Sequence, residues 1–303
     1  MTLTAILLLV VAAGLHASWN LASKSRQPTA SYFLLASLAG VVVQAPALWL
    51  APETLRLLLT PRLGGLLLAT SVAMALYYIA LAGAYRAGDM SVAYPLARAA
   101  PVLLVVVVTF LLGRGHQLSL VCGAGMVLVV TGCFLVPQHR FDELHARRYL
   151  NPTCALALLA AVGTAGYSVI DDQVLRELRA AAGADTSRLA LTAVYGCLEA
   201  LVTALLLAAF VVVRPAGRAS LRRALRTEKT YALLTGVAIH VTYLLVLVAM
   251  GFARNVSYVV AFRQLSIPLG AVIAIVFLRE PPYRPKLAGV AVMLVGLVLV
   301  ALR

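Results

Sequence analysis

Apolar runs of 18 or more residues recur from one end of this 303-residue chain to the other, and they leave few ways to fold it. A helix rising 1.5 Å per residue needs about 20 such residues to cross roughly 30 Å of hydrocarbon. Inside a bilayer every backbone N–H and C=O must be satisfied within the protein, so spanning segments are helices or closed barrels. Barrel strands alternate apolar and polar residues over about ten positions. The runs here are continuous and about twice that length, so helices are expected. They read as residues 3–21, 31–50, 63–85, 90–112, 118–136, 154–172, 187–213, 231–251, 255–278 and 285–302. The expected fold is an all-α polytopic membrane protein with ten transmembrane helices. Composition agrees: 62% of the residues are hydrophobic and 12% charged, against about 45–50% apolar in soluble domains.

The first twenty residues contain an apolar stretch and a small-residue site near Ala17, but no basic segment precedes them. They read as the first span rather than a cleaved signal. A net charge of +14 would suggest nucleic acid in a soluble chain. Here the basic residues lie mostly between the spans, facing anionic lipid headgroups, and no nucleic-acid partner is expected. Cys122, Cys133, Cys154 and Cys197 fall in or beside apolar spans without metal-ligand spacing and read as small buried hydrophobes. Lys and Arg concentrate in the odd-numbered loops, which by the positive-inside rule puts those loops in the cytoplasm and both termini outside.

The chain also repeats itself. "TSVAMALYYIALAGAY" (70–85) matches "TGVAIHVTYLLVLVAM" (235–250) at Thr70/Thr235, Val72/Val237, Ala73/Ala238 and Tyr78/Tyr243. The register continues with Ser91 over Ser257 and Arg98 over Gln264, beside Arg263. Gly125 and Gly132 reappear as Gly289 and Gly296. Two five-helix repeats, 1–150 and 151–303, are expected. Because five is odd, the second enters the membrane from the opposite face, an arrangement used by secondary transporters for alternating access. Arg98 and Arg263 then sit about 12 Å in from opposite surfaces and can meet near the midplane.

"HASWNLASK" in the first span, "GDMSVAYPLARAAP" opening the fourth and "FRQLSIPLGAVIAIVFLREPPYRPKLAGVAVMLVG" in the last two resemble the drug/metabolite transporter superfamily. The likeness is to its ten-helix EamA-type members and covers the whole chain. It implies a permease of the bacterial-type inner (plasma) membrane, a monomer or weak homodimer without cofactors. It also implies both termini in the cytoplasm, the reverse of the charge count. In one respect the chain departs from the pattern: Arg114 stands where the fourth helix often closes with an acid, whereas Glu280 is present in the second half.

Ionisable groups in hydrocarbon cost about 2.5–3.5 kcal/mol on insertion scales, so they should face the bundle interior and mark function. Arg98 and Arg263 are the strongest substrate-binding candidates, since guanidinium pairs bidentately with carboxylate or phosphonate. The alternative is that each neutralises a buried acid or caps carbonyls beside Pro101 or Pro268. Arg98 shares a helical face with Ser91, Tyr94 and Pro101. Gln264 lies with Ser257, Ala261 and Pro268 on a face that could instead pack another helix. His16, Trp19 and Asn20 cluster at i, i+3, i+4; Trp19 is equally an interfacial anchor. Tyr78 and Tyr243, with Tyr77 and Tyr85, could line a cavity or simply pack. His240 and His16 each stand alone, and a lone histidine is more often a hydrogen-bonded packing residue than a proton carrier. Proton-coupling candidates are Glu199, near the centre of the seventh run, Asp171 and His16. Glu199 could alternatively pair with Arg98 or Arg263, and Asp171 with Asp172 could be an interfacial pair solvated by headgroups beside Arg176 and Arg179.

An enzyme is not expected, because no H-E-x-x-H, G-x-S-x-G, G-x-x-x-x-G-K-[ST] or C-x-x-C occurs. His139, Asp142, Glu143 and His145 read as a charged connector rather than a metal site. The expectation is therefore a secondary transporter of a small polar or amphipathic metabolite, anionic or zwitterionic, driven by protons or exchange. A flippase for a lipid or lipid-linked sugar is the alternative within the same architecture, and a structural membrane subunit is the alternative outside it. The expected partners are a small-molecule substrate and membrane lipids.

Overall fold

Several helix starts are written into the chain as polar caps: the side chains of Thr29, Ser119, Asn151, Ser187 and Asn255 accept from backbone N–H groups two or three residues on. Pro52, Pro152, Pro215 and Pro285 occupy first turns, where the missing N–H costs nothing. The computed structural model describes residues 1–23, 28–87, 90–143, 150–182, 186–277 and 279–302. The side chains of residues 19–23, 90–94 and 143 are outside that description.

The helices are α1 (Leu3–Ser23), α2 (Ala30–Gln44), α3 (Ala47–Leu50), α4 (Pro52–Leu58), α5 (Pro61–Ala87), α6 (Met90–Leu111), α7 (Leu120–Leu135), α8 (Pro152–Ala181), α9 (Arg188–Val213), α10 (Pro215–Arg223), α11 (Lys229–Met250), α12 (Val256–Phe262), α13 (Ser266–Phe277) and α14 (Arg284–Ala301). No strand occurs among the described residues. Seven segments are long and apolar enough to cross a membrane: Ala30–Leu50, Pro61–Ala87, Pro152–Ala181, Arg188–Val213, Pro215–Met250, Val256–Phe277 and Arg284–Ala301. At the positions expected for spans 3–21, 90–112 and 118–136 lie shorter apolar helical stretches, Leu3–Ser18, Pro95–Leu111 and Leu120–Leu135. Large apolar side chains such as Val42, Leu111 and Phe277 are exposed on the outside of the bundle, the distribution a lipid-facing surface requires. The chain is a polytopic α-helical membrane protein.

Helices pack in pairs distant in sequence. α5 lies along α8, α7 along α14, α2 along both α9 and α11, α1 along α11 and α13, and α6 along α8. At the α7–α14 crossing, a Cβ on Gly125 would meet the Gly296 carbonyl at 2.6 Å, and one on Gly296 would meet the Gly125 carbonyl at 2.6 Å. Gly132 faces the Gly289 carbonyl in the same way at 2.7 Å. The two backbones touch, which only glycine permits, and the pairing of low numbers with high ones makes the helices antiparallel.

Two features depart from the expected spans. The sixth runs on to Ala181, giving a 30-residue helix about 45 Å long. The ninth is interrupted by a tight turn over Arg263–Leu265 between α12 and α13.

Candidate functional site

The interruption in the ninth span shapes the interior. Pro268 has no N–H to donate to the Gln264 carbonyl, and the helix tightens to the i→i+3 pattern one turn earlier. Arg263 sits at this break. Its guanidinium carbon lies 5.6 Å from the Tyr243 ring centroid and 6.0 Å from that of Tyr167, within cation–π range. Arg98 comes from α6, which carries Pro95 and Pro101 within it. One of its terminal nitrogens donates to Ser266 Oγ at 2.6 Å and the other lies 3.3 Å from His16 Nε2. Ser266 in turn donates to the Arg263 carbonyl at 3.1 Å.

Arg98, Arg263 and His16 line one cavity together with Thr242, Val246 and alanines of α1. Its volume is about 10 Å³, space for a single water. Arg98 Nε and one terminal nitrogen of Arg263 are buried without a hydrogen-bond partner. Two guanidinium groups thus meet in the interior with donors to spare, an arrangement that attracts an anion.

Beside this pair lies a buried carboxylate held by hydroxyls. Asp171, fully buried, accepts from Thr70 and Tyr195 at 2.5 Å each through one oxygen, and from the Tyr243 hydroxyl through the other. The donors come from α5, α9 and α11, so one side chain of α8 ties three other helices together. Glu199, 3% exposed, makes no ion pair among the described residues, and its Oε1 has no partner. The alternative pairing of Glu199 with Arg98 or Arg263 is therefore not made, since both arginines turn toward His16, Ser266 and tyrosine rings.

The interfacial reading of Asp171 and Asp172 is corrected: they are 0% and 2% exposed. Because α8 continues nine residues past Asp172, both acids lie inside the helix rather than at its end. Asp172 takes Arg176 at 2.8 Å and Arg114 at 3.5 Å. Arg114 also donates to Gln173, and Gln173 to Glu177, which holds Arg62 through two 2.9 Å bonds. A charged belt thereby links the starts or ends of α5, α6 and α8 on one face.

Of the other expected site residues, Gln264 is buried and its amide bonds back to the Val260 carbonyl at 3.1 Å. His240 is buried and faces the Gly236 carbonyl at 2.9 Å through Nδ1. Tyr78 stacks on Phe33 at 4.5 Å, and rings continue through Tyr77 and Tyr167 to Tyr243 at 5.1, 5.9 and 5.6 Å. The side chains of Trp19, Asn20 and Tyr94 lie outside those described. Tyr167 and Tyr195 are the residues that sequence reasoning missed. The signal for Tyr167 was its place four residues before Asp171, one helical turn away.

No family pattern and no curated protein matches the chain. Among solved structures, one described only as the crystal structure of a protein superposes with a TM-score of 0.71 at 17% identity, covering 98% of this chain and 96% of its own. That likeness establishes that the whole chain adopts a fold already seen in a crystal, and at this identity it speaks for the fold alone.

Proposed function

We propose that the protein is a secondary transporter of ten spans in two inverted five-helix repeats, similar to EamA-type members of the drug/metabolite superfamily. It moves a small anionic or zwitterionic metabolite across a bacterial-type inner membrane by alternating access. The observation that carries this reading is the meeting of Arg98 and Arg263 in one buried cavity, each with an unused donor. A structural subunit has no need of two such charges in its interior.

The packing supports the inverted repeat. Relating the first five spans to the last five exchanges α5–α8 with α11–α1, and α6–α8 with α13–α1, and each of these pairs is in contact. The α2–α9 and α7–α14 pairs map onto themselves, as the reciprocal glycine contacts of the latter do. Arg98 beside His16 has a counterpart in Arg263 beside Tyr167. Helix breaks at membrane depth, as over Arg263–Leu265, accompany substrate sites in such repeats.

The test is a thermal-unfolding screen of the detergent-purified protein against amino acids, organic acids, phosphonates, quaternary amines and lipid-linked sugars, run beside Arg263→Ala. An acid that raises the melting temperature of the native protein and not of the variant is the expected result. Stabilisation by cations or lipid-linked compounds, unchanged in the variant, would sink the anion reading.

A further inference from the structure

A second cavity of about 10 Å³ lies between α2, α5, α9 and α11, lined among others by Ser37, Tyr78, Glu199, Thr203, His240 and Tyr243. We propose that it binds one sodium ion. Three of its lining residues each carry a buried oxygen without a hydrogen-bond partner: Ser37 Oγ, Glu199 Oε1 and Thr203 Oγ1. Their residues are 0%, 3% and 1% exposed. Buried polar atoms are almost always satisfied, so three orphans around one small space point to something that fills it.

The two hydroxyls had a local alternative. Ser71, Thr131 and Thr192 each donate to the carbonyl four residues back, at 2.8, 2.9 and 2.7 Å. Ser37 and Thr203 leave that bond unmade, so neither hydroxyl is tied to its own helix and each oxygen still has both lone pairs free. With Nδ1 of His240 donating to the Gly236 carbonyl, Nε2 is left as an acceptor. Every polar group of the lining can therefore present a lone pair.

Carboxylate and hydroxyl oxygens are hard ligands suited to alkali and alkaline-earth ions. One carboxylate among neutral donors balances a single positive charge. A divalent ion gathers six to eight oxygens, several of them carboxylates, and no group of three or more His, Cys, Asp or Glu with metal-binding placement exists among the described residues. The volume admits one water-sized sphere, which accommodates a dehydrated ion and excludes an organic cation. Tyr243 links this cavity to the arginine site, since it lines this cavity, donates to Asp171 and faces Arg263. A role for the ion in driving transport rests on the reading above; its binding does not.

Thermal unfolding of the purified full chain, with sodium chloride replaced by N-methyl-D-glucamine chloride at constant ionic strength, tests this directly. The expected result is a saturable rise of about 4 °C in sodium, absent in Glu199→Gln and in Thr203→Val. If Glu199→Gln does not fold, Ser37→Ala carries the test through a sodium midpoint shifted at least about threefold upward, the loss of one of several ligands. No sodium response in the native protein, or the same response in the variants, overturns the proposal. So does stabilisation by lowered pH without any effect of sodium, which would assign the cavity to a protonated Glu199 and water. The anion screen with Arg263→Ala, performed in N-methyl-D-glucamine chloride, reports on the transport reading separately, so the two can fail independently.

Discussion

Asp171 shows how much a single buried side chain can organise. Its carboxylate accepts from hydroxyls of three helices, and it presents no donor of its own when ionised. Asp171→Asn keeps the shape but replaces one acceptor oxygen with an NH₂ facing a donor. We expect a loss of about 1–3 kcal/mol, read as a lower melting temperature in detergent. Tyr243→Phe removes one donor and should cost about 1 kcal/mol. Because the two residues share one network, the double variant should fall short of the sum of the single losses. Asp171 stood out in the sequence as an acid at the end of an apolar run. Its burial did not, because the run of apolar residues ends before the helix does, and the helix goes on to bury Val174, Leu175 and Leu178 beyond the two acids.

At the level of elements, the α7–α14 crossing carries the sharpest expectation. A methyl group on Gly132 would meet the Gly289 carbonyl at 2.7 Å and the Met293 backbone nitrogen at 3.1 Å. Backbone atoms cannot swing away as a side-chain end can, so Gly132→Ala must push the helices apart. Overpacking of this kind costs about 1–3 kcal/mol, and a lowered melting temperature with intact helical circular dichroism is the expected signature. The seven-residue spacing of both glycine pairs was visible in the sequence, since a close crossing needs small residues on one face. The break over Arg263–Leu265 was not. Hydropathy runs unbroken through it, and Pro268 alone does not say where the backbone tightens. The short helices α4 and α10 also escaped, lying between the runs read as spans from the sequence.

For the whole molecule, five apolar helices, α5 to α9, separate Thr60 from Arg218. Both residues are exposed. In the ten-span arrangement they lie on opposite sides of the membrane. Single cysteines placed there in a cysteine-free background should label from opposite sides of intact cells with a membrane-impermeant thiol reagent. Labelling from one side would remove the inverted repeat. The four native cysteines are buried and unpaired, so replacing them with alanine or serine clears the background.

The sequence by itself determined the class of fold and the seven segments long and apolar enough to cross a membrane, because a bilayer demands long apolar helices and such runs are visible one residue at a time. It also marked Arg98, Arg263, Asp171 and Glu199, since a charge in hydrocarbon stands out against its neighbours. Which of these meet was decided by tertiary structure alone. Periodicity gives each side chain a direction on its own helix but says nothing of which helix lies opposite. That the arginines turn to His16, Ser266 and two tyrosine rings, and leave Glu199 to a cavity lined by hydroxyls, follows from how α1, α2, α9, α11 and the broken ninth span pack together.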